Sequence, residues 1–239
     1  MSTQIQNTEK NPQQVAETAM SIGHQIAKRH PKMKPFLNSV KGGIDLIDGE
    51  KTQESLQKAL NFAKEICLSG KVLLVVGTKV QAKDVVKEFA TECNLPFIND
   101  RWLGGTLTNV ETLKKRVYRL KSLEAQKADG SIAKYTKKEQ GKMEKEMVIL
   151  QSKFGGIKNM DKLPDAILVM DMIKDRFAVK EANERGVIVI AVADTNVNPT
   201  AAKYPIYASD DSADSIRYIL GKFKDVVLSC KGASAAKPQ

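Results

Sequence analysis

Three uninterrupted apolar runs constrain the fold of this chain more than any other feature. They are KVLLVV at Lys71–Val76, AILVM at Ala166–Met170 and VIVIAVA at Val187–Ala193. Runs without polar alternation are typical of strands that are buried on both faces, as in parallel sheets. Segments with helical spacing of apolar residues alternate with them. The pattern predicts a doubly wound, mostly parallel α/β sheet flanked by helices.

Four helices and two shorter strands complete this expectation. The helices are expected at Thr52–Ser69, Gln81–Glu92, Arg176–Arg185 and Asp211–Leu228, and the strands at Ile44–Ile47 and Pro96–Ile98. Thr52 is the expected N-cap of the first helix, and Gly70 follows its end. The segment GHQIAKRHPKMKPFLNSVKGG, rich in Gly, Pro and Lys, is predicted to be an irregular surface segment.

Residues 110–154 break the alternation because they contain no strand pattern. Two narrow apolar seams recur at spacings of three and four, and each suits a coiled-coil stripe. The seams are Val110, Leu113, Val117 and Leu120, then Met143, Met147, Leu150 and Phe154. The turn ADG at 128–130 lies between them, and Thr136 with Glu139 matches a capping box. We therefore predict an antiparallel coiled-coil helical hairpin that protrudes from the sheet domain, with helices roughly 27 Å long.

The domain organisation follows from these elements. Residues 1–20 are expected to form a flexible extension, and residues 21–109 with 155–228 the α/β sheet domain. The basic hairpin at 110–154 is an insertion in that domain, and residues 229–239 are expected to be a disordered tail. The polar N-terminal stretch lacks the apolar core of a signal peptide, and no apolar run is long enough to span a bilayer. Three widely spaced cysteines without a C-x-x-C pair favour a reducing compartment, so we expect a cytoplasmic protein.

The positive charge is concentrated in two segments. The net charge is +10, from 38 Lys and Arg against 28 Asp and Glu. Residues 24–41 carry five basic and no acidic side chains, and residues 110–154 carry 12 basic and 6 acidic ones, so the remainder is nearly neutral. Such clustering favours a polyphosphate partner, RNA or DNA, over a merely solvated surface. A membrane surface is less favoured because neither segment has a large apolar face beside its charges.

The sites at which α/β enzymes place their chemistry are incomplete in this sequence. Gly77-Thr78-Lys79 follows a strand but lacks the further glycines of a dinucleotide loop, so Lys79 is either a phosphate contact or a solvated lysine. Asp171 and Asp194 follow two strands, and we favour turn capping over a metal or acid/base pair. His24 and His30 have no acidic ligand near them in the sequence, so phosphate or base contact is favoured. We expect no catalytic residue, metal or cofactor, and no small-molecule substrate.

The stretch RWLGGTLTN at Arg101–Asn109 precedes the hairpin. Gly104 and Gly105 permit close backbone approach or positive φ, and Asn109 or a neighbouring threonine can cap the next helix. Trp102 can stack on a ligand or fill a pocket. We interpret the stretch as a hinge or interface between the sheet domain and the hairpin, with ligand contact left open.

RWLGGTLTN followed by a basic hairpin resembles the bacterial ribosomal protein S2 family. Further segments resemble the same family, in the same order, over residues 20–228: HPKMKPF, GGIDLIDGEKT, GGIK, LPDAILVMD, KEAN and ADTN. The resemblance implies a structural, non-catalytic protein of the small ribosomal subunit that binds small-subunit rRNA and neighbouring proteins, including the large mRNA-binding protein S1. The chain departs from the family pattern at Ser21-Ile22, at Arg29-His30, at Asp45 and at Asn198.

The leading hypothesis is therefore a ribosome-bound rRNA-binding protein. The expected phosphate contacts are Lys32, Lys34, Lys41, Arg101, Lys114, Lys115, Arg116 and Lys158. One alternative is an α/β nucleotide- or phosphosugar-binding enzyme with a basic arm. Another is a free regulatory RNA or DNA binder.

Overall fold

The computed structural model describes residues 18–160 and 162–235, which contain two sheets. The strands are β1 (Ile22–Gln25), β2 (Leu37–Lys41), β3 (Ile44–Ile47), β4 (Leu73–Val76), β5 (Phe97–Ile98), β6 (Ala166–Val169), β7 (Ile188–Ala193) and β8 (Tyr204–Tyr207). The helices are α1 (Gly49–Leu68), α2 (Val80–Glu92), α3 (Val110–Ala128), α4 (Lys137–Phe154), α5 (Arg176–Glu184) and α6 (Ala213–Ala235). Short 3-10 turns connect several of them.

The larger sheet has the order β5-β4-β6-β7-β8, and all its strands are parallel. The chain passes from β4 to β5 at one edge and then returns to β6 on the other side of β4. This reversal makes the crevice beyond the carboxyl ends of β4 and β6 a topological switch point, which is where open α/β sheets bind their ligands. The predicted doubly wound parallel sheet is confirmed.

Successive side chains of the parallel strands face opposite layers of helices. Leu73 and Val75 of β4 belong to a core with α1, α2 and α6, whereas Leu74 and Val76 pack in a second core with the hairpin helices and α5. All four side chains are at most 3% exposed. Burial on both faces is the reason that the strand sequence shows no polar alternation.

The second sheet corrects the prediction for the first basic segment. It is antiparallel with the order β1-β3-β2, so the segment predicted to be irregular supplies two of its three strands. These strands are short and mostly exposed, which hides the periodicity of a buried strand. The predicted flexible extension is also shorter, because Met20 is buried in the first core. Residues 1–17 lie outside the described residues.

Two helix ends differ from the sequence expectation. Helix α1 begins at Gly49 because Asp48 is the N-cap and accepts a hydrogen bond from Glu50 N at 3.0 Å. Thr52, the expected cap, is buried inside the helix and donates to the carbonyl oxygen of Tyr207 at 2.6 Å. Helix α6 continues to Ala235, so the prediction of disorder from residue 229 is wrong up to that residue. Residues 236–239 lie outside the described residues.

The hairpin segment forms two helices that pack against each other. Leu113, Val117 and Leu120 of α3 and Leu150 and Phe154 of α4 are buried in the second core. The capping box of Thr136 and Glu139 is present at the start of α4. The coiled-coil geometry and the projection of the hairpin from the sheet remain predictions. None of the helices in the described segments is long and apolar enough to cross a membrane.

Candidate nucleic-acid interface

The stretch Arg101–Asn109 is held in place by one buried carboxylate, Glu181 of α5, whose side chain is 8% exposed. Its Oε1 accepts hydrogen bonds from Trp102 Nε1 at 3.1 Å and Gly105 N at 2.9 Å. Its Oε2 accepts from Leu107 N at 2.9 Å, and from Thr108 N and Thr108 Oγ1 at 3.3 Å each. Burial opposes ionisation of Glu181, but these donors outweigh it and lower its pKa.

This contact revises the role expected for Trp102 and the two glycines. Trp102 is buried beside Glu181 rather than presented for stacking. Gly105 has φ +93°, which lets its N–H point at the carboxylate, whereas Gly104 has no positive φ. Asn109 caps α3 by accepting from Thr112 N at 3.3 Å. The stretch is thus a hydrogen-bonded junction, anchored by Glu181, which sequence reasoning named only as part of the KEAN motif.

Most of the predicted phosphate contacts have exposed, unpaired charges. Among the residues that the structure describes, six of the predicted cations are exposed and form no ion pair: Lys34, Lys41, Arg101, Lys114, Lys115 and Arg116. Lys32 is exposed, and its Nζ donates to Thr200 Oγ1 at 3.1 Å. Lys158 is half-buried, with its Nζ 3.3 Å from Glu124, so its charge is already matched within the chain.

The switch point carries a separate cluster of charges. Lys79 lies at the start of α2, and its Nζ is 2.6 Å from Asp210, 2.7 Å from Asp211 and 3.2 Å from Asp171. Neither sequence interpretation of Lys79 is correct, because it is neither solvated nor free for a phosphate. Burial and the negative charges of Asp171 and Asp194 raise the pKa of Asp210 to about 7.

His24 belongs to the same cluster, and this corrects the expectation that it has no acidic neighbour. Its Nδ1 is 3.2 Å from Asp194 and its Nε2 is 3.3 Å from Asp211. The contact with Asp194 raises the pKa of His24. His24, Asp194, Asp210 and Asp211 carry ligand atoms within 4.8 Å of one another, so these four residues could hold a divalent cation. His24 is far from the three aspartates in the sequence, whereas Asp194 lies only 16 residues before Asp210.

Asp171 and Asp194 also make the capping contacts that the sequence favoured. Asp171 Oδ1 accepts from Ile173 N and Lys174 N, both at 2.7 Å. Asp194 accepts from Thr195 N at 2.5 Å and from Asp210 N at 3.2 Å. The polar groups at this edge therefore serve mainly to fix the loops that leave the sheet.

Comparison with known proteins identifies the family. The family model for ribosomal protein S2 matches residues 15–230. The small ribosomal subunit protein uS2 of Geotalea uraniireducens (strain Rf4) is 42% identical over 215 residues, which cover 90% of this chain and 84% of that protein. The chain belongs to the ribosomal protein S2 family. The resemblance seen in the sequence is thereby confirmed.

Two of the residues that depart from the S2 pattern, Arg29 and Asp45, are hydrogen-bonded to each other. Arg29 donates from Nε to Asp45 Oδ2 at 2.8 Å, and its Nη2 contacts Asp45 Oδ1. Asp45 is fully buried, so the guanidinium supplies the charge and the donors that its carboxylate needs. Arg29 was counted in the first basic segment, but its charge is matched by Asp45. The neighbouring His30 caps the following turn by accepting from Lys32 N at 3.2 Å.

Proposed function

We propose that this protein is a structural component of the small ribosomal subunit that binds small-subunit rRNA through the exposed cations of residues 24–41 and of the hairpin. The observation that carries the proposal is the set of exposed cations on the hairpin that form no ion pair with the described residues, whereas Arg29 and Lys79 are matched by carboxylates. Free cations release counterions from RNA on binding, whereas paired ones do not.

The family supports a structural role in the ribosome and a cytoplasmic, ribosome-bound location. Neighbouring small-subunit proteins, S1 among them, are further expected partners on the basis of the resemblance. The phosphate contacts position the protein, and selectivity comes from the shape of the rRNA. The enzyme alternative is less favoured because Lys79, the candidate phosphate ligand of the sheet, is bound to three aspartates.

The test is rebinding to small subunits that have been depleted of this protein, followed by sedimentation on sucrose gradients. The wild-type chain should comigrate with the subunit, and its affinity should fall steeply with salt. Replacing Lys114, Lys115 and Arg116 together by Gln should reduce the salt slope by about three, since each phosphate contact contributes about one.

A matched control replaces three exposed lysines outside the basic segments, Lys64, Lys71 and Lys87, by Gln. The control removes the same net charge and should leave the slope nearly unchanged. Wild-type protein found only in free fractions would refute the ribosomal role, and would leave the free regulatory RNA or DNA binder as the alternative. An equal decrease of the salt slope in both variants would show that binding depends on the total charge and not on the position of the cations. A nucleotide that raises the melting temperature markedly would instead favour the enzyme alternative.

A further inference from the structure

A groove runs between the two hairpin helices beside the Arg101–Asn109 junction. Its volume is about 560 Å³, and its walls come from α3, α4 and Leu103. Leu103 lies between two residues of the junction that Glu181 holds, Trp102 and Gly105, so this end of the groove is fixed to the sheet domain. The hydrogen bonds to Glu181 therefore position the end of the groove that Leu103 lines.

The groove is strongly cationic. Arg116 of α3 and Lys142, Lys145 and Lys153 of α4 line it, and none of the four forms an ion pair with any residue that the structure describes. Glu146 is the single acidic residue among the described residues of the lining. Its carboxylate already accepts from Arg119 Nε at 3.1 Å and Nη2 at 2.9 Å. Arg119 lowers the pKa of Glu146 most, and the more distant Lys142 and Arg116 add to this, so the four groove cations still outnumber the acid.

The floor between these cations is apolar. It consists of Ile149, Leu150 and Phe154, and the side chain of Ile149 is 53% exposed. Leu150 and Phe154 are buried in the second core, so Ile149 supplies most of the exposed apolar surface of the floor. Exposure of the apolar Ile149 side chain to water is unfavourable, so a ligand with an apolar face that covers this side chain would bind favourably.

We propose that this groove binds an unpaired nucleotide of RNA, with the base on the Ile149 floor and the flanking phosphates on Arg116, Lys142, Lys145 and Lys153. This inference rests on the proposed function and deepens it. A paired duplex buries its base faces in the stack and would leave the apolar floor without a partner. An unpaired nucleotide supplies both a flat apolar face and phosphates on either side, which is the combination that single-strand sites use.

RNA is favoured over an acidic peptide because the groove lies within a larger basic surface. Residues 110–154 carry 12 basic and 6 acidic side chains, and the exposed Lys138 lies one turn before Lys142 on the same face of α4. A polynucleotide can continue from the groove along that face, with a phosphate at every step.

A photo-crosslinker at the floor tests the occupant. Benzoylphenylalanine replaces Ile149, and in a control replaces Val148, which is 66% exposed on the same helix but does not line the groove. Both proteins are assembled into small subunits depleted of the natural protein. We expect the Ile149 probe to crosslink to one unpaired rRNA nucleotide that the Val148 probe does not reach. A crosslink to protein, to the same nucleotides as the control, or to no RNA overturns the proposal.

Charge reversal tests the energetics. The double substitution Lys145→Glu and Lys153→Glu should weaken binding to depleted subunits by at least about tenfold and reduce the salt slope by about two. The matched control, Lys64→Glu and Lys87→Glu, changes the charge equally on exposed lysines of α1 and α2, outside the basic segments. Circular dichroism confirms that both variants are folded. Equal weakening by the two variants contradicts the groove but leaves the ribosomal role intact, whereas wild-type protein that fails to bind contradicts both.

Discussion

The junction at Arg101–Asn109 provides the sharpest test of the structure, through the substitution Glu181→Gln. Among the described residues, the carboxylate of Glu181 contacts only donors: Trp102 Nε1 and Gly105 N on one oxygen, and Leu107 N, Thr108 N and the Thr108 hydroxyl on the other. The glutamine amide has one acceptor oxygen and one NH₂ group of similar size. Whichever way it is turned, the NH₂ group faces two N–H donors that previously had a carboxylate oxygen.

The size of the effect follows from these contacts. A hydrogen bond to a charged group contributes about 1.5–3 kcal/mol, and two are lost. Local relaxation recovers part of this, so we expect the free energy of unfolding to fall by about 3–5 kcal/mol. For a chain of this length each kcal/mol corresponds to about 2–4 °C in melting temperature. The expected decrease in Tm is therefore about 6–20 °C.

Two measurements check this prediction. Urea unfolding followed by circular dichroism gives the free energy of unfolding. The fluorescence of Trp102, the single tryptophan of the chain, reports on the junction itself. In the wild type Trp102 is 7% exposed, and its Nε1 donates a hydrogen bond to Glu181. The substitution weakens this contact and gives water access to the indole, so the emission of the folded variant should shift to longer wavelength.

The control is Glu184→Gln on the same helix. Glu184 is exposed, and its only ion pair within the described part of the chain is with Lys180 at 3.9 Å, so this substitution should cost less than about 1 kcal/mol. If Glu181→Gln proved as stable as this control, with unchanged emission, the carboxylate would not hold the junction and the reasoning would be wrong.

Two further predictions concern buried carboxyl groups. Burial raises the pKa of Asp175 to about 6 from 3.8, so its stabilising effect is present at low pH and is lost as the pH rises through 6. The isosteric variant Asp175→Asn does not titrate at this position, so its free energy of unfolding relative to that of the wild type should rise by up to about 3 kcal/mol between pH 4 and pH 8. Urea unfolding at the two pH values measures this difference, and a difference that does not change with pH would contradict the prediction. Arg29→Met should lower the melting temperature by several degrees because it leaves buried Asp45 without its partner, and adding Asp45→Asn should recover most of the loss. No recovery in the double variant would show that the pair is not coupled.

The elements that the sequence predicted well are those whose pattern is local. Strands β4, β6 and β7 were placed to within about two residues because burial on both faces leaves an uninterrupted apolar run. Strand β8 was missed since YPIY is half-exposed and contains Pro205, which suits an edge strand but breaks the usual pattern. Strands β1 and β2 were missed for a similar reason, since most of their residues are exposed.

The sequence by itself determined the alternating α/β architecture, the two hairpin helices and the segments in which positive charge accumulates, because each depends on neighbours a few residues away. Only the tertiary structure decided which cations are free. Lys79 and Arg29 looked no different from Lys114 in the sequence, yet the fold gives the first two carboxylate partners and leaves the third exposed. Likewise, Glu181 holds a junction more than 70 residues earlier in the chain. Such pairs depend on distances of about 3 Å in space, and no local periodicity encodes them.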